Sequence, residues 1–253
     1  MLDAYDRHER VRSVWLGVRR EVTPHVVRHL SEDGPHAWIA WSDLGRLPSV
    51  EIDARIAHER MRFARLRRPL EWKAYEHDRP RDLVARLAAA GFEPGEPETL
   101  LAADLGDEVP DVPRGRTIRR GAEALDAAGE VYRRVWPEQT GEVLARLRRT
   151  FERAPAAQDL VVVELDGAPA SAGWTTFSPG SPFACLWGGA TVAEARGRGL
   201  YRAVVAARLA EARARGAELA AVDAGAMSRP ILQRFGFVAL SEITPCVADP
   251  LGV

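Results

Sequence analysis

The stretch from Phe183 to Arg215 limits the fold more than any other part of the chain. An apolar, strand-like segment, FACLWGGAT, leads through Arg196-Gly197-Arg198-Gly199-Leu200-Tyr201-Arg202 into an alanine-rich amphipathic helix. Glycines at the mouth of a helix let the backbone close on a ligand. They also aim the unpaired first-turn N–H groups at it, an arrangement that holds phosphate. Arg196, Arg198 and Arg202 add charge suited to a diphosphate. Just upstream, Gly167 to Ala193 runs for 27 residues without a charge, yet Pro169, Pro179, Pro182 and five glycines bar a membrane-spanning helix. It reads as buried strands joined by the turn Ser178-Pro179-Gly180-Ser181-Pro182.

A chain of 253 residues allows one large domain or two small ones. The formal net charge of −1 gives no support to a nucleic-acid binder or an acidic tail. Residue types are unevenly placed. All six histidines (His8, His25, His29, His36, His58, His77) precede residue 78, and both cysteines (Cys185, Cys246) fall in the last 70 residues. From residue 78 onward the chain can run no imidazole chemistry, and two cysteines alone make no structural zinc site, so no metal is expected. Two cysteines give no disulfide framework, and MLDAYDRHERVR lacks the apolar core of a signal peptide, so a reduced cytoplasmic setting is the default.

A seam is expected at Gly106–Gly115 (GDEVPDVPRG), dividing the chain into 1–115 and 116–253. In the first part the pattern predicts strands at His36–Trp41, Glu71–Glu76 and Thr99–Leu105, and helices at Val50–Leu66 and Pro80–Ala90. In the second it predicts a strand at Thr117–Arg120 and helices near Ala122–Trp136 and Glu142–Arg153. Three strands follow at Leu160–Leu165, Ala172–Phe177 and Phe183–Thr191, the first two around an Asp166-Gly167 turn. A helix at Leu200–Arg215, a strand at Leu219–Val222, a helix at Ser228–Phe235 and a strand at Phe237–Thr244 complete it. The parts echo each other. Glu71-Trp-Lys-Ala-Tyr, Arg79-Pro80 and Gly91-Phe92 match Glu218-Leu-Ala-Ala-Val, Arg229-Pro230 and Gly236-Phe237. That points to a tandem duplication.

Gly197-x-Gly199 with Asp223 after the next strand imitates a dinucleotide fingerprint. Against it, Arg202 holds the third glycine position, Val192–Arg196 separates the strand from the first glycine, and the preceding strands read as hairpins. The order strand, helix, helix, three strands, R-x-x-G loop with helix, strand, short helix, Gly-Phe, strand instead resembles the GNAT-type N-acetyltransferase superfamily. Its acyl-CoA loop, Q/R-x-x-G-x-G/A, is matched by Arg196 and Gly199 and departs at Tyr201. Its short helix and Gly-Phe are matched by Ile231 to Phe237. The resemblance covers about residues 116–245. It implies an α+β fold of two mixed-sheet domains in tandem, the N-terminal one degenerate because no glycine loop precedes its Val50–Leu66 helix.

The resemblance further implies that a pantetheine arm runs beside Gly189, Ala190 and Thr191, with the diphosphate on Arg196, Gly197, Arg198, Gly199, Leu200, Tyr201 and Arg202. Gly188-Gly189 would permit that close approach, or mark a simple bulge. Arg196 could instead pair with Glu194. The implied reaction moves an acetyl group from acetyl-CoA to an amine of a small molecule or protein, its tetrahedral intermediate held by backbone N–H groups of the fourth strand. Leu232 stands where many family members carry a tyrosine general acid. A thiol of pKa ~8.5 can still leave as thiolate, and Ser228 is either a proton source or a helix cap. Asp223 and Glu164 are the carboxylate candidates for the base, and any histidine there must come from the first half, with His36 and His77 beside predicted strands. Trp136, Trp174 and Trp187 line an acceptor pocket or pack the core. The expected partners are acetyl-CoA and an amine acceptor, with no nucleic acid and no membrane, and a homodimer is open to the chain. A non-catalytic acyl-CoA-binding or regulatory module is the competing reading.

Overall fold

The computed structural model describes residues 1–32, 34–106 and 115–250. Of the expected seam at Gly106–Gly115, residues 107–114 lie outside the described residues. The chain opens with α1 (Leu2–Tyr5), which continues as a π-helical turn over Asp6–Val11. Then come β1 (Val18–Val22), β2 (Val26–Ser31), β3 (Ala37–Ser42), α2 (Ser49–Arg65), β4 (Leu70–Tyr75), α3 (Leu83–Ala89), β5 (Glu93–Pro94) and β6 (Glu98–Asp104). After β7 (Ile118–Arg120) follow α4 (Leu125–Val135), α5 (Thr140–Arg153), β8 (Gln158–Leu165), β9 (Ala168–Phe177) and β10 (Phe183–Thr191). The last elements are α6 (Leu200–Ala214), β11 (Leu219–Ala224), α7 (Arg229–Gln233) and β12 (Val238–Ala248).

By compactness the chain divides otherwise than at residue 115. One unit is Met1–Leu100, Ala224–Ala226 and Ala239–Val253; the other is Leu101–Asp223 and Met227–Val238. The reason is strand pairing. β12 lies antiparallel to β4, from Ile243 opposite Tyr75 to Ala248 opposite Leu70, so β12 completes the first unit. The later part of β6 lies beside β11 in the second unit, where the Leu105 N–H donates to the Glu218 carbonyl at 2.8 Å.

Each unit repeats one pattern. In the first, β1, β2 and β3 are antiparallel neighbours and β3 runs parallel to β4, with α2 as the crossover. In the second, β8, β9 and β10 are antiparallel and β10 runs parallel to β11, with α6 as the crossover; β7 adds an outer strand. A parallel neighbour requires such a crossover. A short helix then ends in Gly-Phe in both units. Gly91 and Gly236 take φ of +86° and +85°. The Phe92 and Phe237 N–H groups donate to the Leu87 and Leu232 carbonyls, at 3.0 and 3.3 Å. Glycine is needed there because this left-handed conformation is costly for other residues.

The β8–β9 hairpin turns at Asp166 and Gly167, both with positive φ (+53° and +81°), which suits the right-handed twist of the strands. Leu160 to Val163 are all buried, so β8 is covered on both faces. On α6 the small Ala203, Ala206 and Ala207 are buried and draw the helix close, whereas Ala210 is exposed. Four elements are absent from the expected pattern: the N-terminal helix, β1, β2 and the two-residue β5. In β2, Arg28 and His29 interrupt the apolar run, yet both are buried. Arg28 forms a bidentate pair with Glu59 of α2, and His29 stacks on Trp38 with ring centres 5.1 Å apart. α3 begins at Leu83, later than the expected Pro80; the Leu83 N–H closes a turn onto the Pro80 carbonyl at 3.2 Å.

Candidate functional site

The two parallel strands of the second unit pair only at their start. Phe183, Ala184 and Cys185 match Leu219, Ala220 and Ala221; beyond that, among the described residues, β10 and β11 part. At the same place β10 carries one residue too many for its other neighbour. Trp187 faces Trp174, but Ala190 faces Ala172, so the bulge lies at Gly188-Gly189. Three side chains form around it. Gly188 has φ +56°, and a Cβ there would lie 1.8 Å from Trp174 Cζ3. A Cβ on Gly189 would lie 2.6 Å from Tyr201 Cε2. From α6, Arg208 Nη1 donates to the carbonyls of Trp174 and Trp187, at 3.1 and 3.0 Å. Neither glycine could be another residue without moving an aromatic ring. Tyr201 therefore packs back on β10, and Arg208 hydrogen-bonds its side chain.

From the end of β10 the chain passes a short turn at Ala193–Ala195 and reaches the glycine loop. Gly197 and Gly199 have φ of +74° and +77°, and a Cβ on either would meet nothing within 4 Å. These glycines answer to backbone conformation, not to crowding, and the ground before them is open. Gly199 is the left-handed cap of α6 and no side chain caps the helix, so the first-turn amides lack intrahelical acceptors. Arg196 does not pair with Glu194, which is held by Arg134. Arg196 is exposed and its Nε donates to the Thr191 carbonyl at 3.3 Å. The Arg198 carbonyl accepts from Arg116 at 3.0 Å, and the Arg202 guanidinium lies 5.7 Å from the centre of the Phe235 ring. An open loop with uncapped first-turn amides and exposed cations has the makings of a diphosphate site.

The candidate proton-transfer residues have separate surroundings. Glu164 is buried on β8 and its carboxylate is taken by Arg119. Asp223 is half-buried near the end of β11, the strand that borders the opening. Ser228 occupies the cap position of α7, but its side chain makes no cap hydrogen bond; its carbonyl accepts from the Ile231 and Leu232 N–H groups, both at 3.0 Å. Leu232 is fully buried. His36 is exposed. His77 belongs to a network in the first unit, with Nδ1 2.8 Å from Ser241 Oγ and Nε2 3.0 Å from Asp6 Oδ2. The order Asp–His–Ser resembles a nucleophile triad. However, Ser241 is buried and Arg10 Nη1 also stands 3.0 Å from His77 Nε2, so the group is a charge network rather than an exposed nucleophile.

The aromatics of the second unit serve mainly as core. Trp174 is buried, with Tyr132 edge-on at 5.9 Å, and Trp136 stacks on Tyr132 at 5.5 Å. Trp187 is half-buried and donates from Nε1 to Thr176 Oγ1 at 2.9 Å. Arg146 sits 5.2 Å from the Trp174 ring centre. Arg208 is the residue that sequence reasoning missed, although a signal exists. It is the one charge between Ala203 and Leu209, a run in which every residue is buried. Among the described residues no group of three His, Cys, Asp or Glu side chains could hold a metal, and no helix is long and apolar enough to cross a membrane.

No family model matches the chain, and no curated protein matches it. Solved structures do. A GCN5-related N-acetyltransferase from Kribbella flavida is similar over 97% of this chain and 94% of its own, with TM-score 0.71 and 24% identity. A tandem GNAT protein from the clavulanic acid biosynthesis pathway is similar over 95% of this chain and 86% of its own, with TM-score 0.63 and 19% identity. A functionally unknown conserved protein from Staphylococcus epidermidis has TM-score 0.68 at 11% identity, covering 96% of this chain and 97% of its own. The α+β mixed-sheet fold of this chain is thus the fold of the GNAT N-acetyltransferases.

Proposed function

We propose that the second unit binds acetyl-CoA and transfers its acetyl group to an amine, and that the first unit is a degenerate copy of the same fold. The observation that carries this reading is the open glycine loop at the start of α6, next to a strand that is bulged and parted from its parallel neighbour. The diphosphate would lie on backbone N–H groups from Gly197 to Arg202, with Arg196, Arg198 and Arg202 adding charge. Pantetheine would extend along Gly189, Ala190 and Thr191, the free edge of β10. The bound donor supplies a thioester-activated acyl group.

The acceptor nitrogen forms a bond to the acetyl carbon while the C–S bond breaks and its electron pair leaves on sulfur. The nitrogen's proton must go to a base or to water. Asp223 is the preferred base because it borders the opening, whereas Glu164 is already held in an ion pair. No acid is assigned to Leu232, and the thiolate leaves unassisted or with Ser228 as donor. The first unit would bind no acyl-CoA, because α2 follows Pro48 instead of a glycine loop. Calorimetry with acetyl-CoA tests the reading, which fails if the protein shows no heat of binding at millimolar ligand. Binding without transfer to any of a panel of lysine peptides, polyamines and aminoglycosides would favour a non-catalytic acyl-CoA-binding module.

A further inference from the structure

We propose that Arg208 is a positioning residue that sets the affinity of the second unit for the pantetheine part of its ligand, by holding the β10 bulge in shape from beneath. The proposal rests on the acyl-CoA reading above. Arg208 is 1% exposed, and among the described residues no carboxylate lies within ion-pairing distance of it. Burial accordingly pulls it below the ordinary arginine value. A buried cation without a counter-charge is costly unless its hydrogen bonds are needed. Here one nitrogen, Nη1, bridges the carbonyls of Trp174 and Trp187, which are paired across the two strands immediately before the bulge.

Neighbouring residues are shaped to admit it. A Cβ on Gly173 would lie 2.9 Å from Arg208 Nη1 and 3.0 Å from Cζ. Tyr201, the bulky residue in the loop position usually held by a small one, bonds Arg208 and covers Gly189. Arg208 therefore connects the first turn of α6 to the bulge and fixes how Gly189 to Thr191 present their backbone to the opening. The glycine loop itself needs none of this. A diphosphate should be bound there whether or not the bulge is held.

The test is calorimetric titration of the full chain with CoA and with 3′-phospho-ADP, which carries the phosphates but no pantetheine. Arg208→Met should weaken CoA binding about tenfold or more while shifting 3′-phospho-ADP by less than about twofold. Arg208→Lys should recover part of the loss. Gly173→Ala, which presses a methyl on the guanidinium, should give the same selective loss and serves if the methionine variant does not fold. Equal weakening of both ligands, or no change in either, would overturn the role of Arg208. Wild-type protein that binds neither ligand would overturn the acyl-CoA reading itself.

Discussion

Each unit bulges its third strand where that strand leaves its parallel partner, and each catches the bulge with a buried arginine, but the arginines come from different places. In the second unit Arg208 belongs to the crossover helix and lies under the sheet. In the first the bulge is at Ala40, since Val27 faces Trp41 and Arg28 faces Ile39. Among the described residues β3 and β4 pair from Ala37–Leu70 to Ile39–Trp72 and no further. Arg10, from the N-terminal π-helical turn, enters there. Its Nε donates to the Ala40 carbonyl at 2.8 Å, Nη2 pairs with both Asp78 oxygens at 2.8 Å, and the guanidinium lies 3.7 Å from the Tyr75 ring centre. It thus touches β3 and β4 where they have parted. One unit fills its opening with its own side chain; the other lines it with Gly188, Gly189, Ala190 and Thr191.

If the first unit is the degenerate copy proposed above, the difference teaches that losing a glycine loop is only half of how such a site closes. The crossover helices differ in the same sense. Buried Glu59 of α2 is neutralised by Arg28, while buried Arg208 of α6, among the described residues, hydrogen-bonds carbonyls and a tyrosine and makes no ion pair. A satisfied ion pair fixes one arrangement, and the first unit has two such pairs around its opening.

The comparison breaks most readily at Arg10. Arg10→Ala leaves Asp78 buried without its cation and should cost about 3–5 kcal/mol of stability, read by urea denaturation. CoA affinity in the second unit should stay unchanged, and a shift in CoA affinity would mean the two openings are not separate in function. Next in size, Gly199→Glu should lower CoA affinity at least about 100-fold (roughly 2.7 kcal/mol) by adding charge and bulk to a left-handed cap, with circular dichroism unchanged.

A pH effect of about 2–3 kcal/mol belongs to the first unit alone. His29 is buried against Trp38 and Trp15, and burial pulls its pKa from 6.5 down to about 4. The unfolded chain takes up this proton first. Stability should therefore be full above pH 6.5, fall as pH drops towards 4, and lose nothing more to this group below that. His29→Phe should flatten the pH curve of urea midpoints over that window. Asp6 acts in the same sense at lower pH: burial raises it, but the His77 hydrogen bond and the Arg10 charge outweigh that and hold it below the usual carboxylate value. The smallest effect is expected for Arg196→Ala. Its side chain is exposed and bonds only a carbonyl, so CoA affinity should fall no more than about fivefold (~1 kcal/mol) in a salt-dependent manner.

Much of the second unit is legible in sequence, and the reasons are local. β10 spans Phe183–Thr191 as its uncharged run implies, and α6 begins at Leu200 where the glycines stop. The loop could be read because its shape lies in backbone conformation, which glycine announces. What could not be read depends on partners distant in sequence. β2 hides behind Arg28 and His29, which look solvent-bound until Glu59, Trp15 and Trp38 surround them. Arg208 looks like a stray charge on an apolar helix until two bulge carbonyls reach it. Arg10 gives no sign at all, because its carbonyl and carboxylate lie 30 and 68 residues away.

The pairing of β12 with β4 has a consequence for synthesis. The strand that completes the first sheet is made about 170 residues after the strand it joins. At roughly 5–20 residues per second the nascent first unit waits on the order of 10–30 seconds with the β4 edge uncovered. An uncovered edge is a template for pairing with other chains. The protein should therefore be most vulnerable to aggregation while it is still on the ribosome, and a stop codon before Ile243 should leave an insoluble product even though all of the glycine loop has been translated.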